Sequence, residues 1–132
     1  MQYAVPRRGV PGAATLRAWA RAAGARALAI RIVGSREGRQ LNRRFRKKNY
    51  ATNVLSFPYE GSGDIVLCHP VIVREARAQG KSVRAHYAHL VIHGVLHLRG
   101  HGHDDKASAR RMEAREIRLL ARFGFADPYT LK

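Results

Sequence analysis

"SVRAHYAHLVIHGVLHLRGHGH", residues 82–103, decides how the rest of this 132-residue chain is read. Ser82 has the side chain of a helix cap, and nothing in Val83 to Leu98 breaks a helix outright. The spacing predicts one long helix there, followed by a loop from Gly100 to Asp105. Within it His93 and His97 stand four apart, so both rings rise from one face, with Cβ atoms about 5–6 Å apart. Gly100 can take the left-handed conformation that ends a helix and turns the chain back. His103 can then swing under the helix and bring a third nitrogen to the first two.

H-x3-H-x5-H is therefore a mechanical solution to a three-imidazole metal centre. Three neutral imidazoles leave one tetrahedral position open, the mark of catalytic rather than structural zinc. Water at such a position loses its proton at about pH 7. The expectation is one zinc ion, although nickel, copper and manganese also accept imidazole. Two alternatives stay open: His89 lies four before His93 in the same helix as His86, and His101 could stand in for His103. Metalloproteases of the H-E-x-x-H type need a glutamate directly after the first histidine. Here that residue is Gly94, which argues against peptide hydrolysis. Asp104 and Asp105 read most simply as the solvated start of the next helix.

Working outward, a strand is expected at Gln2 to Val5, ended by Pro6. An alanine-rich helix with Leu16 and Trp19 follows, stopping at Gly24. "ALAIRIVG" (27–34) reads as a strand. Ser35 is expected to cap a helix whose buried side is marked by Leu41 and Phe45. "TNVLSFP" (52–58) reads as a strand closed by Pro58, "GSGD" (61–64) as a turn, and "DIVLC" (64–68) as the strand it leads into. Pro70 suits a first helical turn, in a helix that Gly80 ends. A last helix is expected from about Lys106 to Arg122. The sum is an α+β (α/β layered) fold, a single domain over residues 1–132, with a roughly four-stranded mixed sheet packed by about five helices.

Composition narrows the function. The hydrophobic share of 45% suits a folded globule rather than a disordered tail. No apolar run approaches the roughly 18–20 residues that cross a bilayer, and Arg17, Arg21 and Arg26 interrupt what would be a signal peptide's apolar core. One cysteine, Cys68, permits no internal disulfide and suits a reducing cytosol, so a cytoplasmic location is expected. The formal net charge is +16, and 20 of the 25 basic residues are arginine, the better bidentate partner for phosphate. Such a field draws polyanions. A nucleic acid is the expected partner, and a membrane is not.

The densest basic run is "LNRRFRKKNYATNVLSFPYE" (41–60). Arg43, Arg44, Lys47 and Lys48 fit either a charged helix face or RNA phosphate contacts. Arg46 stands apart at the helix exit, where it could reach into a cleft and neutralise charge developing on a phosphate. These residues, with "GDIVLC", "AHYAHLVIHGVLHLRGHGH" and "MEAREIRLLARFGFADPY", resemble the YbeY family of bacterial rRNA-maturation endoribonucleases, in the right order from about Ile30 onward. The resemblance implies zinc on His93, His97 and His103, and a functional arginine at Arg46, so the catalytic set is Arg46, His93, His97 and His103. It further implies single-strand-specific cleavage of RNA, processing of the 3′ end of 16S rRNA in the small ribosomal subunit, and ribosome quality control. Ribosomal proteins or a ribosome-associated GTPase are the implied partners. One departure is plain: where the family has G-x-D-H, this chain has "GHGH", with Gly102 in the aspartate's place. Two rival classes remain, a non-catalytic metal-braced RNA-binding assembly factor, in which Asp104 or His101 closes the metal's coordination, and a zinc hydrolase of peptides or small molecules.

Overall fold

The computed structural model describes residues 1–59, 62–99 and 105–129. Nine elements follow in chain order: β1 (Gln2–Tyr3), α1 (Ala13–Ala22), β2 (Leu28–Val33), α2 (Ser35–Arg46), β3 (Val54–Tyr59), β4 (Ser62–Cys68), α3 (His69–Ala78), α4 (Val83–Leu98) and α5 (Lys106–Arg122). The sheet order is β1-β2-β4-β3, with β1–β2 and β2–β4 parallel and β3–β4 antiparallel. This is the mixed four-stranded sheet and five-helix α+β architecture expected from the residue pattern.

Strand alternation sorts the apolar residues to two faces. Ile30, Ile32, Ile65 and Leu67 point to one side and form the main core with Trp19 of α1, Ile72 of α3, Val91 of α4 and Leu119 of α5. Val33, Leu55, Val66 and Cys68 point to the other side, where Leu41 of α2 packs against them. Trp19, only 2% exposed, contributes roughly 2–3 kcal/mol through burial of its ring.

Helix α4 is the central beam. Nine of its sixteen residues are buried on all sides, the pattern of a core helix rather than a surface one. Ser82 caps it, its Oγ accepting from the Ala85 amide at 3.0 Å. Gly94 lets α4 lie close to the sheet, since a Cβ there would stand 3.0 Å from Ile65 Cδ1 and 3.3 Å from Ser56 Oγ.

Five local expectations are corrected. The N-cap of α2 is Gly34, with Ser35 already its first helical residue. The buried side of α2 is centred on Gly38 and Asn42; Leu41 is half-buried and packs against the sheet as expected, but Phe45 is 54% exposed. Gly38 allows that closeness, because a Cβ there would meet Cys68 Sγ at 2.9 Å. Asn42 Nδ2 donates to the Tyr50 carbonyl at 2.7 Å, tying down the chain after the helix. Pro58 continues β3 instead of closing it; on an edge strand, proline's missing donor costs no ladder bond. Ser62 to Asp64 belong to β4, held between β3 and β2, and are not a turn. At the N-terminus the strand is shorter than expected, covering Gln2–Tyr3, although the Ala4 amide still reaches the Ile32 carbonyl at 2.8 Å.

Candidate active site

The free edge of β3 is where the chemistry-bearing side chains meet. β3 is the last strand of the sheet, so α2 reaches it from one face and α4 from the other. Along it runs a cavity of about 580 Å³ whose walls include Phe45 and Arg46 from α2, Asn53 and Ser56 from the strand region, and His93 and His97 from α4. Two stretches more than forty residues apart, the arginine exit and the histidine helix, thus face one space.

Local structure explains each position. Lys47 adopts φ 57°, a left-handed conformation that ends α2 directly after Arg46 and leaves the guanidinium at the helix's last turn. His93 and His97 rise from successive turns of α4 with ring centroids 6.4 Å apart and planes inclined by only 10°. The Gly94 side of the helix faces Ile65 and Ser56, so a glutamate at that position has no room. The absence of the protease-type base is therefore built into the packing.

Behind His93 lies a group that the sequence did not disclose. Glu116 of α5 is fully buried and is the hub of three hydrogen bonds. Its Oε1 pairs with His93 Nδ1 at 2.5 Å, its Oε2 with His89 Nε2 at 3.0 Å, and the Tyr129 hydroxyl donates to Oε2 as well. Burial pushes this carboxyl's pKa up, but the bonds from His89, His93 and Tyr129 outweigh it and hold it at about 2. The Tyr129 phenol moves the other way, well above its usual range, through burial and the adjacent carboxylate. A neutral His93 that donates Nδ1–H to an ionised Glu116 carries its lone pair on Nε2, the nitrogen suited to a metal.

Possible ligand atoms of His89, His93 and Glu116 all lie within 4.8 Å of one another, so this group is itself able to hold a metal ion. His93 belongs to both arrangements, with His97 on the cavity side and with Glu116 behind. His101, His103, Gly102 and Asp104 lie outside the described residues. Asp105 acts as the cap of α5, its Oδ1 accepting from the Ser108 amide at 2.7 Å. His86 pairs through Nε2 with Glu75 Oε1 at 2.8 Å and lines a smaller cavity of about 380 Å³ beside His89 and Tyr129. Arg43, Arg44, Lys47 and Lys48 are exposed around Arg46.

Sequence reasoning passed over Glu116, Tyr129 and Asn53. For Glu116 a signal was present: it shares a stripe with Met112, Leu119 and Leu120, an acid on the apolar face of the helix. Tyr129 follows the last helix and offered no periodic cue.

Comparison with known proteins places the chain in a family. The family model described as Endoribonuclease YbeY matches residues 13–124. The Endoribonuclease YbeY of Stenotrophomonas maltophilia (strain R551-3) is 49% identical over 98% of this chain and 91% of its own length. That of Alkalilimnicola ehrlichii is 48% identical over 99% and 90% respectively. The solution structure of TM1509 from Thermotoga maritima superposes with a TM-score of 0.58 at 19% identity, covering 98% of both chains, and so shares the fold. With the family model spanning most of its length and such relatives covering nearly all of it, this chain belongs to the YbeY endoribonuclease family.

Proposed function

We propose that this chain is a zinc-dependent endoribonuclease that cuts single-stranded RNA, with His93, His97 and His103 as metal ligands and Arg46 as the phosphate-holding residue. The observation that carries the reading is the one cavity shared by Arg46, His93 and His97. Arginine offers planar, bidentate donors to phosphate, and the surrounding basic residues draw the polyanion in. Glu116 beside His93 Nδ1 favours the tautomer that leaves Nε2 for a metal. A zinc bound there supplies a Lewis acid and lowers the pKa of a nucleophile, be it water or a ribose 2′-hydroxyl. Arg46 offsets the charge that builds on the non-bridging oxygens as the P–O bond breaks.

The natural role we infer is maturation of the 16S rRNA 3′ end and ribosome quality control in the cytoplasm, alongside ribosomal proteins or a ribosome-associated GTPase. Family membership and the +16 charge support it.

The test compares wild type with His97→Ala, His89→Ala and Arg46→Ala. Metal content and cleavage of unstructured against base-paired RNA are measured, with and without chelator. Wild type should bind about one zinc and cut the unstructured strand. His97→Ala should lose both metal and activity, and Arg46→Ala activity alone. Metal lost with His89→Ala but kept with His97→Ala would assign the ion to the His89–His93–Glu116 group instead. Activity that survives the chelator would overturn metal dependence.

A further inference from the structure

On the face of the sheet covered by α2 there is a second, apolar cavity of about 380 Å³, bounded by Leu41 and Phe45 of α2, Phe57 and Pro58 of β3, and Val66 of β4, with Arg31 and Asp64 at its polar margin. Phe45 and Phe57 also line the cavity that holds Arg46, His93 and His97. The two spaces are therefore neighbours across one pair of aromatic rings. We propose that this second cavity receives an unpaired nucleobase of the RNA strand whose phosphate lies at Arg46. The inference rests on the RNA-cleaving reading of the first cavity.

Phe45 is the key. A phenylalanine left 54% exposed gains little from folding, and it sits one residue before the phosphate-holding arginine. Its ring meets Phe57 edge to face, with centroids 5.1 Å apart and planes at 70°, an arrangement that keeps it upright. The Arg44 guanidinium lies 5.4 Å from the same ring, so cationic and aromatic surfaces alternate as they do on single-strand-binding proteins. Helix α2 comes closest to the sheet at Gly38 and Cys68, and the cavity opens toward the helix's far end, where Leu41 and Phe45 face Phe57, Asp64 and Val66. Its size falls within the roughly 300–1,000 Å³ of small-ligand sites.

The chemistry at the margin suits a base. Arg31 is held rigid by a two-point pairing with Glu37, at 2.8 and 2.9 Å, and Asp64 brings a carboxylate to the same rim. The apolar walls suit the faces of a flat heterocycle, and Arg31, whose Nη1 also bonds Gln2 Oε1 at 2.8 Å, presents its remaining N–H groups at the edge. Double-stranded RNA keeps its bases stacked inside the helix and cannot fill the space. The subsite thus gives a physical origin for single-strand preference.

The test is a binding cycle with cleavage removed by His97→Ala. Fluorescence anisotropy compares a labelled single strand of about four nucleotides, too short to shift register, with the same strand carrying an abasic residue at each position in turn. One position should weaken binding roughly tenfold, the value of one lost stack. Adding Phe45→Ala should weaken the intact strand by the same factor and leave the abasic strand unchanged, while Phe45→Trp restores binding. A 2-aminopurine at that position should be quenched by the Phe45 protein and not by Phe45→Ala. Equal abasic penalties with and without Phe45 would overturn the base subsite while leaving RNA binding intact. No RNA binding at all would overturn both readings. A dimer that Phe45→Ala dissolves, with RNA affinity unchanged, would give the cavity to a second copy of the chain and sink the proposal.

Discussion

The Glu116 carboxylate meets His93 Nδ1 at 2.5 Å, joining α5 to the histidine helix at the residue that also faces the Arg46 cavity. A buried carboxylate that grips the rear nitrogen of a metal-ligating histidine fixes both the ring and its tautomer. Glu116→Gln should accordingly lower zinc affinity about 10- to 100-fold, as loss of such partners does. Glu116→Ala should add a stability loss of about 1–3 kcal/mol, because the ring nitrogens of His89 and His93 lose a buried partner. A competition titration with a chromogenic chelator and a urea melt of the metal-free proteins separate the two effects. Unchanged zinc affinity in Glu116→Gln would remove Glu116 from the centre.

Gly94 is where catalytic geometry depends on a missing side chain. Adding a single methyl group there drives Cβ to 3.0 Å from Ile65 Cδ1, inside well-packed core. Overpacking of about 1–3 kcal/mol is partly offset by the roughly 1 kcal/mol that alanine gains over glycine inside a helix, so Gly94→Ala should cost up to about 2 kcal/mol of stability. Because any shift of α4 against the sheet moves His93, the neighbouring residue, the change should also reduce RNA cleavage more than an equally destabilising change far from the cavity. Thermal melts and initial rates, compared with a matched core variant such as Leu119→Ala, measure the difference.

How far the sequence could be read follows from what each feature depends on. Helix α4, with its Ser82 cap and bounds at Val83 and Leu98, and helix α5 were legible because capping and helix breaking are local. The face that α2 buries was not. Periodicity pointed to Leu41 and Phe45, but the helix approaches the sheet through Gly38, and only the tertiary position of Cys68 makes that glycine matter. Phe45 was thus misread as core when it stands in the open beside the cavity that Arg46, His93 and His97 share. The pairing of Glu116 with His93 was equally hidden, since it joins two separate helices and no local pattern specifies how they pack. His93 and His97 were visible as candidates because their relation is confined to a single helix turn.

Acid should weaken the fold through two histidines away from the cavity. His69 and His86 both have pKa values lowered from 6.5, chiefly by burial, with Glu75 only partly offsetting the effect at His86. In the unfolded chain both rings protonate near pH 6.5, whereas the folded protein resists protonation until lower pH. Between those values the unfolded state binds more protons, so stability is full above about pH 6.5 and falls as pH drops through the window. The loss is bounded at about 1.4 kcal/mol per histidine for each pH unit spanned. Urea midpoints of metal-free protein at pH 7.5 and 5.5 should show the decline, and His86→Gln should flatten it. A midpoint that holds steady across that range would exclude both groups.

Lys47 holds the turn that releases Arg46, and it does so under strain. At φ 57° it is the only non-glycine residue with positive φ among the described residues. The left-handed conformation costs a side-chain-bearing residue about 1–2 kcal/mol, while glycine adds about 0.4–1 kcal/mol of unfolded-state entropy. The difference favours Lys47→Gly by about 0.5 kcal/mol or slightly more. Its backbone amide bonds to the Arg43 carbonyl at 3.1 Å, and glycine preserves that bond, so the end of α2 should stay in place. The variant should therefore melt slightly higher and keep its turnover of bound RNA. Its affinity for RNA should fall modestly, with a shallower salt dependence by about one counterion if Lys47 meets a phosphate. Lys47→Val is the opposing control: a β-branched side chain tolerates positive φ worst, so it should lose stability and, by shifting the helix end, lower the turnover that depends on Arg46.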